Sequence, residues 1–177
     1  MSLGPSTAIG EDFVGVGPEL AHVNVVLGAR GTPHETAWTV ALATPRPGHV
    51  PFLVAHRPGL LLQPPTVFVN KAPIADDRHG ELTWGAAQAG VAEGVRDALR
   101  AGDLPAGRAA ELLLIAAVWV NPQARDEALV YTNNREATAR ALARAVAGEP
   151  SVRDVLAAAP AANAYFDAAT SATEVTA

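Results

Sequence analysis

The stretch 19-ELAHVNVVLGARGTPHETAWTVALA-43 joins a strand pattern to the start of a helix, and it decides the fold class. Its first half alternates with a period of two, so one face of the strand holds only apolar residues: Ala21, Val23, Val25 and Leu27. His22 and Asn24 share the other face with Leu20 and Val26. Because packing does not require polar residues there, this face either meets solvent or lines a site.

Signals on either side of this strand predict a hairpin and a helix. Thr32 can cap a helix, Pro33 suits its first position, and Glu35 completes a Thr-x-x-Glu capping box, which predicts a helix over residues 33–43. The run GVGPE at 15–19 supplies a turn, so residues 9–27 form two hairpin strands. The glycines of GARG precede the helix, but no Walker lysine follows, and a plain turn is favoured over an anion site.

The rest of the chain alternates between extended and helical patterns. The predicted elements are strands at residues 49–56, 66–74 and 112–120 and helices at 85–102 and 133–148. The last strand is apolar throughout, which is typical of a strand buried on both faces. The helices end at Gly102 and Gly148, and Asn133 or Asn134 caps the second one. This order of elements predicts an α+β domain, a two-layer structure with helices on one face of a sheet.

A change in composition after Pro150 predicts the domain organisation. Residues 1–150 are expected to form one domain, and residues 151–177 an Ala-rich C-terminal extension. Within the extension, SVRDVLAAAP at 151–160 predicts a short helix and TSATEVTA at 170–177 a mobile tail.

Composition and charge exclude several classes of function. The net charge of −5, with acidic residues spread along the chain, is opposite to the basic patch that nucleic-acid binding requires. No cysteine is present, so disulfides and thiolate chemistry are excluded. The apolar run at 111–120 is about half of the roughly 20 residues that span a bilayer, and no secretory signal precedes it. We therefore expect a cytoplasmic protein that binds neither nucleic acid nor membrane.

Three polar residues could carry chemistry, and each has an ordinary structural alternative. His22 can exchange a proton near neutral pH, or it can be an edge-strand histidine without a role. Lys71 lies on an otherwise apolar strand face, where it is either a cation in a pocket or a stem packed on apolar surface. Gln88, among Ala and Gly, can reach a ligand, another subunit or solvent. The five histidines show no metal-ligand spacing, so no metal site is predicted.

The chain resembles the formaldehyde-activating enzyme family, which condenses formaldehyde with tetrahydromethanopterin. The resemblance extends over residues 9–150 and rests on three segments: 10-GEDFVGVGPELAHVNVVLGARGTPHETA-37, 68-FVNKAPIADDRHGELTWGAAQAGVAEGVRDAL-99 and 133-NNREATARALARAVAGEP-150. It implies a fold like the second domain of ribosomal protein S5, a homopentamer with pterin sites between subunits, and no metal. It also implies that His22 is the general acid and that Leu53, Lys71 and Gln88 contact the pterin.

Two positions depart from the family pattern. The family usually has aspartate in place of Asn24 and threonine in place of Pro73. An amide removes a negative charge and adds N–H donors, and proline removes a hydroxyl and a backbone donor. Both positions belong to the substrate-binding set that the resemblance implies. These changes favour a divergent paralogue with an altered ligand or weakened activity.

The resemblance implies a reaction that these residues can support. Formaldehyde and tetrahydromethanopterin would give methylene-tetrahydromethanopterin and water, with His22 protonating the departing hydroxyl and Lys71 and Gln88 holding the pterin. A Schiff base between Lys71 and formaldehyde would require a lowered lysine pKa, for which the sequence offers no evidence. The alternatives are a non-catalytic protein that binds a pterin or senses formaldehyde, and the same reaction with another reduced pterin such as tetrahydrofolate.

Overall fold

A computed structural model describes residues 7–163 and 166–167, and its centre is a five-stranded sheet in the order β1-β2-β7-β6-β3. The strands of this sheet are β1 (Thr7–Val14), β2 (Ala21–Ala29), β3 (Phe52–Leu53), β6 (Thr66–Asn70) and β7 (Leu112–Trp119). Neighbouring strands are antiparallel except for the pair β6 and β7, which is parallel. β4 (Ala55–Arg57) and β5 (Leu60–Leu61) form a separate two-stranded ribbon, and β8 (Ala162–Asn163) pairs with β9 (Phe166–Asp167).

Two long helices cover one face of the sheet and bury the core. The helices of the chain are α1 (Pro33–Ala43), α2 (Asp77–Glu81), α3 (Gln88–Ala101), α4 (Glu127–Ala147) and α5 (Val152–Ala157). α4 lies so close to β1 that a Cβ at Gly10 would be 2.0 Å from the Ala141 carbonyl oxygen. The predicted hairpin and its apolar face are confirmed, because all four residues of that face are at most 1% exposed.

The α+β class is confirmed, but α1 lies on the opposite face of the sheet from α3 and α4. A Cβ at Gly28 would be 2.4 Å from the His34 ring, and Gly28 follows the core residue Leu27 on the other side of β2. His34 Nε2 hydrogen-bonds the Leu113 carbonyl at 3.0 Å. Because α1 covers only this end of the sheet, the end that carries His22 stays half-buried.

The predicted burial of residues 112–120 on both faces is therefore only half right. Leu112, Leu114 and Ala116 belong to the core under the helices. On the other face Ala117 and Trp119 are only half-buried, because no helix covers that part of β7. The open face of the sheet is thus bordered by α1 at one end.

Two predicted strands have different bounds in the structure. The strand predicted at 49–56 is two strands. Between them, the Val54 N–H donates to the Thr66 carbonyl of β6 at 2.9 Å, and the Val54 carbonyl accepts from the N–H of Leu62, just after the ribbon, at 3.4 Å. The strand predicted at 66–74 ends at Asn70, whose side-chain amide donates to the carbonyls of Gly48 and Ala72. Lys71 is therefore the first residue beyond the strand.

Both long helices begin earlier than predicted. The first begins at Asp77, where the Asp76 side chain accepts from the His79 N–H at 2.7 Å, and it continues through a π-helical turn at Leu82–Ala87 into α3. The second is capped by Asp126, whose side chain accepts from the Leu129 N–H at 3.0 Å. The predicted ends at Gly102 and Gly148 are confirmed, with φ of 84° and 72°.

The capping box predicted at α1 is only partly formed. Thr32 caps the helix by accepting from the His34 N–H at 3.3 Å. Glu35 accepts from the Gly31 N–H at 2.8 Å rather than from Thr32. This bond occupies an amide that an anion in the GARG turn would need, in agreement with the plain-turn interpretation.

The beginning of the C-terminal extension is helical, as predicted. α5 has a capping box between Ser151 and Asp154, with both reciprocal bonds present. The tail predicted at 170–177 lies outside the described residues. None of the helices in the described part of the chain is long and apolar enough to cross a membrane. The division of the chain at Pro150 stays a prediction.

Candidate functional site

His22 lies near the start of β2 on the open sheet face, in contact with an aromatic ring and a carboxylate. Its ring stacks on Phe13 with centroids 3.7 Å apart and an interplanar angle of 12°. Its Nε2 lies 2.9 Å from Glu11 Oε1, at ion-pair distance. The side chain is 25% exposed, but Nε2 itself is buried and its approach to Glu11 lacks the geometry of a hydrogen bond.

The surroundings lower the pKa of His22 below its ordinary value of 6.5. Burial disfavours the charged ring most, and the positive charge of Lys71 adds to this effect. The Glu11 carboxylate opposes both by attracting the imidazolium. At neutral pH the ring is therefore mainly neutral, with one nitrogen able to take up a proton.

Lys71 and Asn24 form the second half of the cluster. Lys71 Nζ donates a hydrogen bond to Asn24 Oδ1 at 2.7 Å, and the Lys71 backbone N–H donates to the Val118 carbonyl at 2.7 Å. Burial lowers the pKa of Lys71 from 10.5 to about 8, although the Glu11 carboxylate raises it. The ammonium is therefore unusually easy to deprotonate for a lysine.

The strand register explains why these residues meet. Opposite residues of neighbouring strands share a face, and His22 is flanked by Phe13 on β1 and by Trp119 on β7. In the adjacent row Asn24 lies opposite Glu11. Three strands and the residue that follows β6 thus contribute to one patch, which we call the His22 patch: Glu11, Phe13, His22, Asn24, Lys71 and Trp119.

Sequence reasoning did not identify Glu11, Phe13 and Trp119 as members of this patch. Glu11 and Phe13 alternate with the buried residues Gly10 and Asp12, and this period of two could have shown that they share a face. Which residues of β2 lie beside Glu11 and Phe13 depends on the hairpin register, and the alternation alone does not give that register.

The other predicted contact residues lie elsewhere in the chain. Leu53 is on the edge strand β3 opposite Val67, and Pro73 is exposed in the loop after β6. Gln88 begins α3, in the helix layer, and its Nε2 donates to the Ala55 carbonyl at 2.7 Å. Among the described residues no side-chain hydrogen bond joins Leu53, Pro73 or Gln88 to His22, Asn24 or Lys71, and the role of these three stays a prediction.

A cavity of about 380 Å³ opens on the same side of the sheet as the His22 patch. It lies between the end of α1 and Val69 of β6, and Val69 precedes Lys71 by two residues in the chain. Arg46 and His49 give it a polar side, and His49 Nδ1 is 2.9 Å from the Asn70 carbonyl oxygen. Its volume is in the range of small-molecule sites.

Within the described residues, no group of three His, Cys, Asp or Glu side chains is arranged to hold a metal ion. The side chains of the His22 patch offer a neutral imidazole, an easily deprotonated amine, a carboxylate and an amide.

Comparison with known proteins identifies the family. The family model for "Formaldehyde-activating enzyme (Fae)" matches residues 9–166. The chain is 40% identical over 158 residues to the "5,6,7,8-tetrahydromethanopterin hydro-lyase" of Methanosarcina barkeri, and the match covers 89% of each chain. It is also 40% identical to the "Bifunctional enzyme Fae/Hps" of Archaeoglobus fulgidus over 148 residues, which are 84% of this chain and 38% of that one. The chain belongs to the formaldehyde-activating enzyme family.

Proposed function

We propose that the protein condenses formaldehyde with tetrahydromethanopterin to give methylene-tetrahydromethanopterin and water. The observation that carries this proposal is the His22 patch, in which a neutral imidazole lies on an accessible sheet face beside a lysine and an amide. Family membership supplies the substrate class, because a relative of 40% identity is named a tetrahydromethanopterin hydro-lyase.

His22 would act as a proton relay that ends as a general acid. When a substrate amine adds to formaldehyde, the amine nitrogen has to lose a proton, and a neutral imidazole can take it. The carbonyl oxygen takes a proton from solvent and becomes a hydroxyl, and the imidazolium donates its proton to that hydroxyl, which leaves as water. The second substrate amine then closes the ring on the iminium, and the proton that it loses returns to solvent. A lowered pKa of His22 suits this order of events, because the ring is unprotonated at the start and the imidazolium is a strong proton donor at the end. Phe13 and Glu11 would hold the ring in one orientation.

Asn24 and Lys71 would position the pterin. Asn24 uses its Oδ1 to accept from Lys71, and none of its hydrogen bonds within the described residues uses the amide N–H₂ group. That group can donate to a pterin carbonyl, whereas the aspartate usual in the family could not. Holding the reactive nitrogen near formaldehyde reduces the entropic cost of ring closure.

We further propose a homopentamer in which a neighbouring subunit completes the site. The resemblance implies pterin sites between subunits, and Leu53, Pro73 and Gln88 lie outside the His22 patch of their own chain. Gln88 in the helix layer would then serve the patch of a neighbour rather than its own.

The test is the rate of methylene-tetrahydromethanopterin formation with and without the protein. We expect the wild type to accelerate the reaction and His22→Ala to lose roughly 100-fold or more of that acceleration. His56→Ala is the matched control, because His56 is also half-buried and has a glutamate partner, Glu93, at 3.3 Å. Its rate should stay near that of the wild type.

Three outcomes would contradict the proposal or one of its parts. If folded wild-type protein gives no acceleration but binds the pterin, the non-catalytic binding protein is the correct alternative. If tetrahydrofolate reacts faster than tetrahydromethanopterin in the same assay, the enzyme uses a different reduced pterin. An unchanged rate in His22→Ala would remove His22 from the mechanism.

A further inference from the structure

The chain contains a single lysine, although it has many basic residues. Of its 13 lysine and arginine residues only Lys71 is a lysine, and the chain has no cysteine. Arginine stays protonated at any physiological pH and is a poor nucleophile. The single side-chain amine is therefore in the His22 patch, where its Nζ contacts Asn24.

We propose that Lys71 is a nucleophile that captures formaldehyde on its ε-nitrogen and passes the carbon to the substrate amine. This inference rests on the proposed function for the identity of the substrates. It assigns to Lys71 a covalent role, in addition to the pterin contact that the resemblance implies.

The contact with Asn24 favours a neutral, reactive amine. An amide oxygen accepts a hydrogen bond from Nζ at 2.7 Å without the full negative charge that would hold the ammonium protonated. A neutral lysine that donates one N–H to Asn24 keeps its lone pair for another atom. The half-buried position of Lys71 disfavours its charged form further.

The lowered pKa of Lys71 increases the fraction of the amine that is neutral. With a pKa of about 8 rather than 10.5, the neutral share of the amine at pH 7 rises roughly 300-fold. The titratable groups that face it are His22 and Glu11. Glu11 draws the pKa of Lys71 upward, but burial outweighs this effect.

The capture is a balanced sequence without an oxidant or reductant. The Nζ lone pair forms a bond to the formaldehyde carbon, the proton that Nζ loses passes to His22, and the carbonyl oxygen takes a proton from solvent, which gives a carbinolamine. The His22 imidazolium donates its proton to the hydroxyl, which leaves as water, and an iminium between Nζ and the CH₂ group remains. The substrate amine adds to that carbon and its proton passes to Nζ, the C–Nζ bond breaks, and Lys71 is released as an amine. The carbon stays on the substrate as an iminium, which the second substrate amine closes with loss of a proton to solvent.

The test is reductive trapping of the full chain with ¹³C-formaldehyde and cyanoborohydride in the absence of any pterin. Cyanoborohydride reduces the iminium to a methylated amine, and peptide mass spectrometry locates the label and follows its rate. Peptide mapping separates Lys71 from the amine at the amino terminus. Because no pterin is present, the result does not depend on whether condensation occurs.

Arg153→Lys supplies an internal reference, since residue 153 is exposed on α5. At pH 7 we expect Lys71 to be methylated roughly tenfold or more faster than the introduced lysine in the same molecule. The rate at Lys71 should level off above about pH 8, whereas the introduced lysine should continue to gain rate toward its ordinary pKa near 10.5.

Asn24→Asp tests the role of the uncharged acceptor while Lys71 is kept. A carboxylate beside Nζ raises the pKa of the amine, so trapping at pH 7 should slow and the levelling-off should move above about pH 9. Equal rates at Lys71 and at the introduced lysine would overturn the proposal, as would a trapping rate that Asn24→Asp leaves unchanged.

Lys71→Arg separates this proposal from the proposed function. Arginine keeps the charge and the donor to Asn24 but cannot capture formaldehyde. If capture is on the reaction path, condensation falls at least tenfold in a variant whose thermal unfolding matches that of the wild type. Full condensation in Lys71→Arg overturns the capture proposal and leaves the proposed function standing. Trapping at Lys71 without any condensation supports capture and overturns the proposed function.

Discussion

The protonation of His22 depends on two neighbours with opposite charges. Burial lowers the pKa of His22 most, the charge of Lys71 lowers it further, and Glu11 raises it. Glu11 is on β1 and Lys71 follows β6, so either can be replaced without changing β2, the strand that carries His22. The cluster is therefore open to direct titration.

We predict that His22 titrates below pH 6.5, as followed by the imidazole proton signals in NMR. Lys71→Met removes a positive charge and should raise the midpoint, whereas Glu11→Gln removes a negative charge and should lower it. A wild-type midpoint at or above 6.5, or shifts with the opposite signs, would contradict the assignment.

The same shift has a consequence for stability with a fixed sign. Between its folded pKa and 6.5, His22 binds more protons in the unfolded state than in the folded state, so the stability contributed by this group falls as pH decreases through that window. Urea unfolding between pH 7 and pH 5 should therefore show a smaller loss of stability in His22→Gln than in the wild type. An equal loss in both proteins would show that other groups account for it.

At the scale of the elements, the predicted N-cap of α4 was wrong because other polar residues resembled a cap. Asn133 and Asn134 look like caps, but both lie within the helix: Asn133 Nδ2 donates to the Glu19 carbonyl and Asn134 Nδ2 to the Val130 carbonyl, each at 2.8 Å. Asp126 is the residue that caps the helix.

We expect Asp126→Ala to destabilise the protein by about 1 kcal/mol through loss of the N-cap, measured by urea unfolding. Asp77→Ala is the control, because Asp77 is an exposed first-turn residue with no ion pair among the described residues. If both variants lose the same small amount, the Asp126 cap does not stabilise α4.

The contact between α3 and α4 depends on small residues. A Cβ at Gly94 would be 2.5 Å from the Arg135 carbonyl oxygen and 2.7 Å from Thr138 Cβ, so the two helices would have to separate. We predict that Gly94→Ala lowers stability by about 2 kcal/mol. Gly107→Ala meets no atom within 4 Å and should be nearly neutral in the same thermal unfolding assay. A neutral Gly94→Ala would show that the helices can move apart at little cost.

At the scale of the whole molecule, the sheet has one face covered by helices and one face only partly covered by α1. The His22 patch lies on the second face, whereas Gln88 lies among the helices of the first. A site that uses both residues therefore requires a second copy of the chain.

Subunit complementation tests this requirement. We expect His22→Ala and Gln88→Ala each to lose condensation activity alone, and a mixture refolded together at equal amounts to recover about a quarter of the wild-type sites. The recovered sites combine His22 of one chain with Gln88 of its neighbour. No recovery in mixed oligomers, confirmed by mass, would show that both residues act within one chain or that Gln88 has no role.

The sequence by itself determined the alternating faces of β2, the cap at Thr32, the helix ends at Gly102 and Gly148, the α+β class and the family. These features depend on residues a few positions apart, so the local pattern contains them. The starts of the helices were harder to predict from the sequence, because several polar residues could serve as caps and tertiary contacts determine which of them does.

Only the tertiary structure decided the composition and charge state of the site. Lys71 and Asn24 are 47 positions apart, and they meet because β2, β7 and β6 pair in one particular register. The same register places Phe13 and Glu11 against His22. A pKa depends on burial and on charges a few ångströms away, and long-range strand pairing sets both. The sequence could therefore identify His22 and Lys71 as candidates. It could not identify the surroundings that lower the pKa of the His22 ring and of the Lys71 amine.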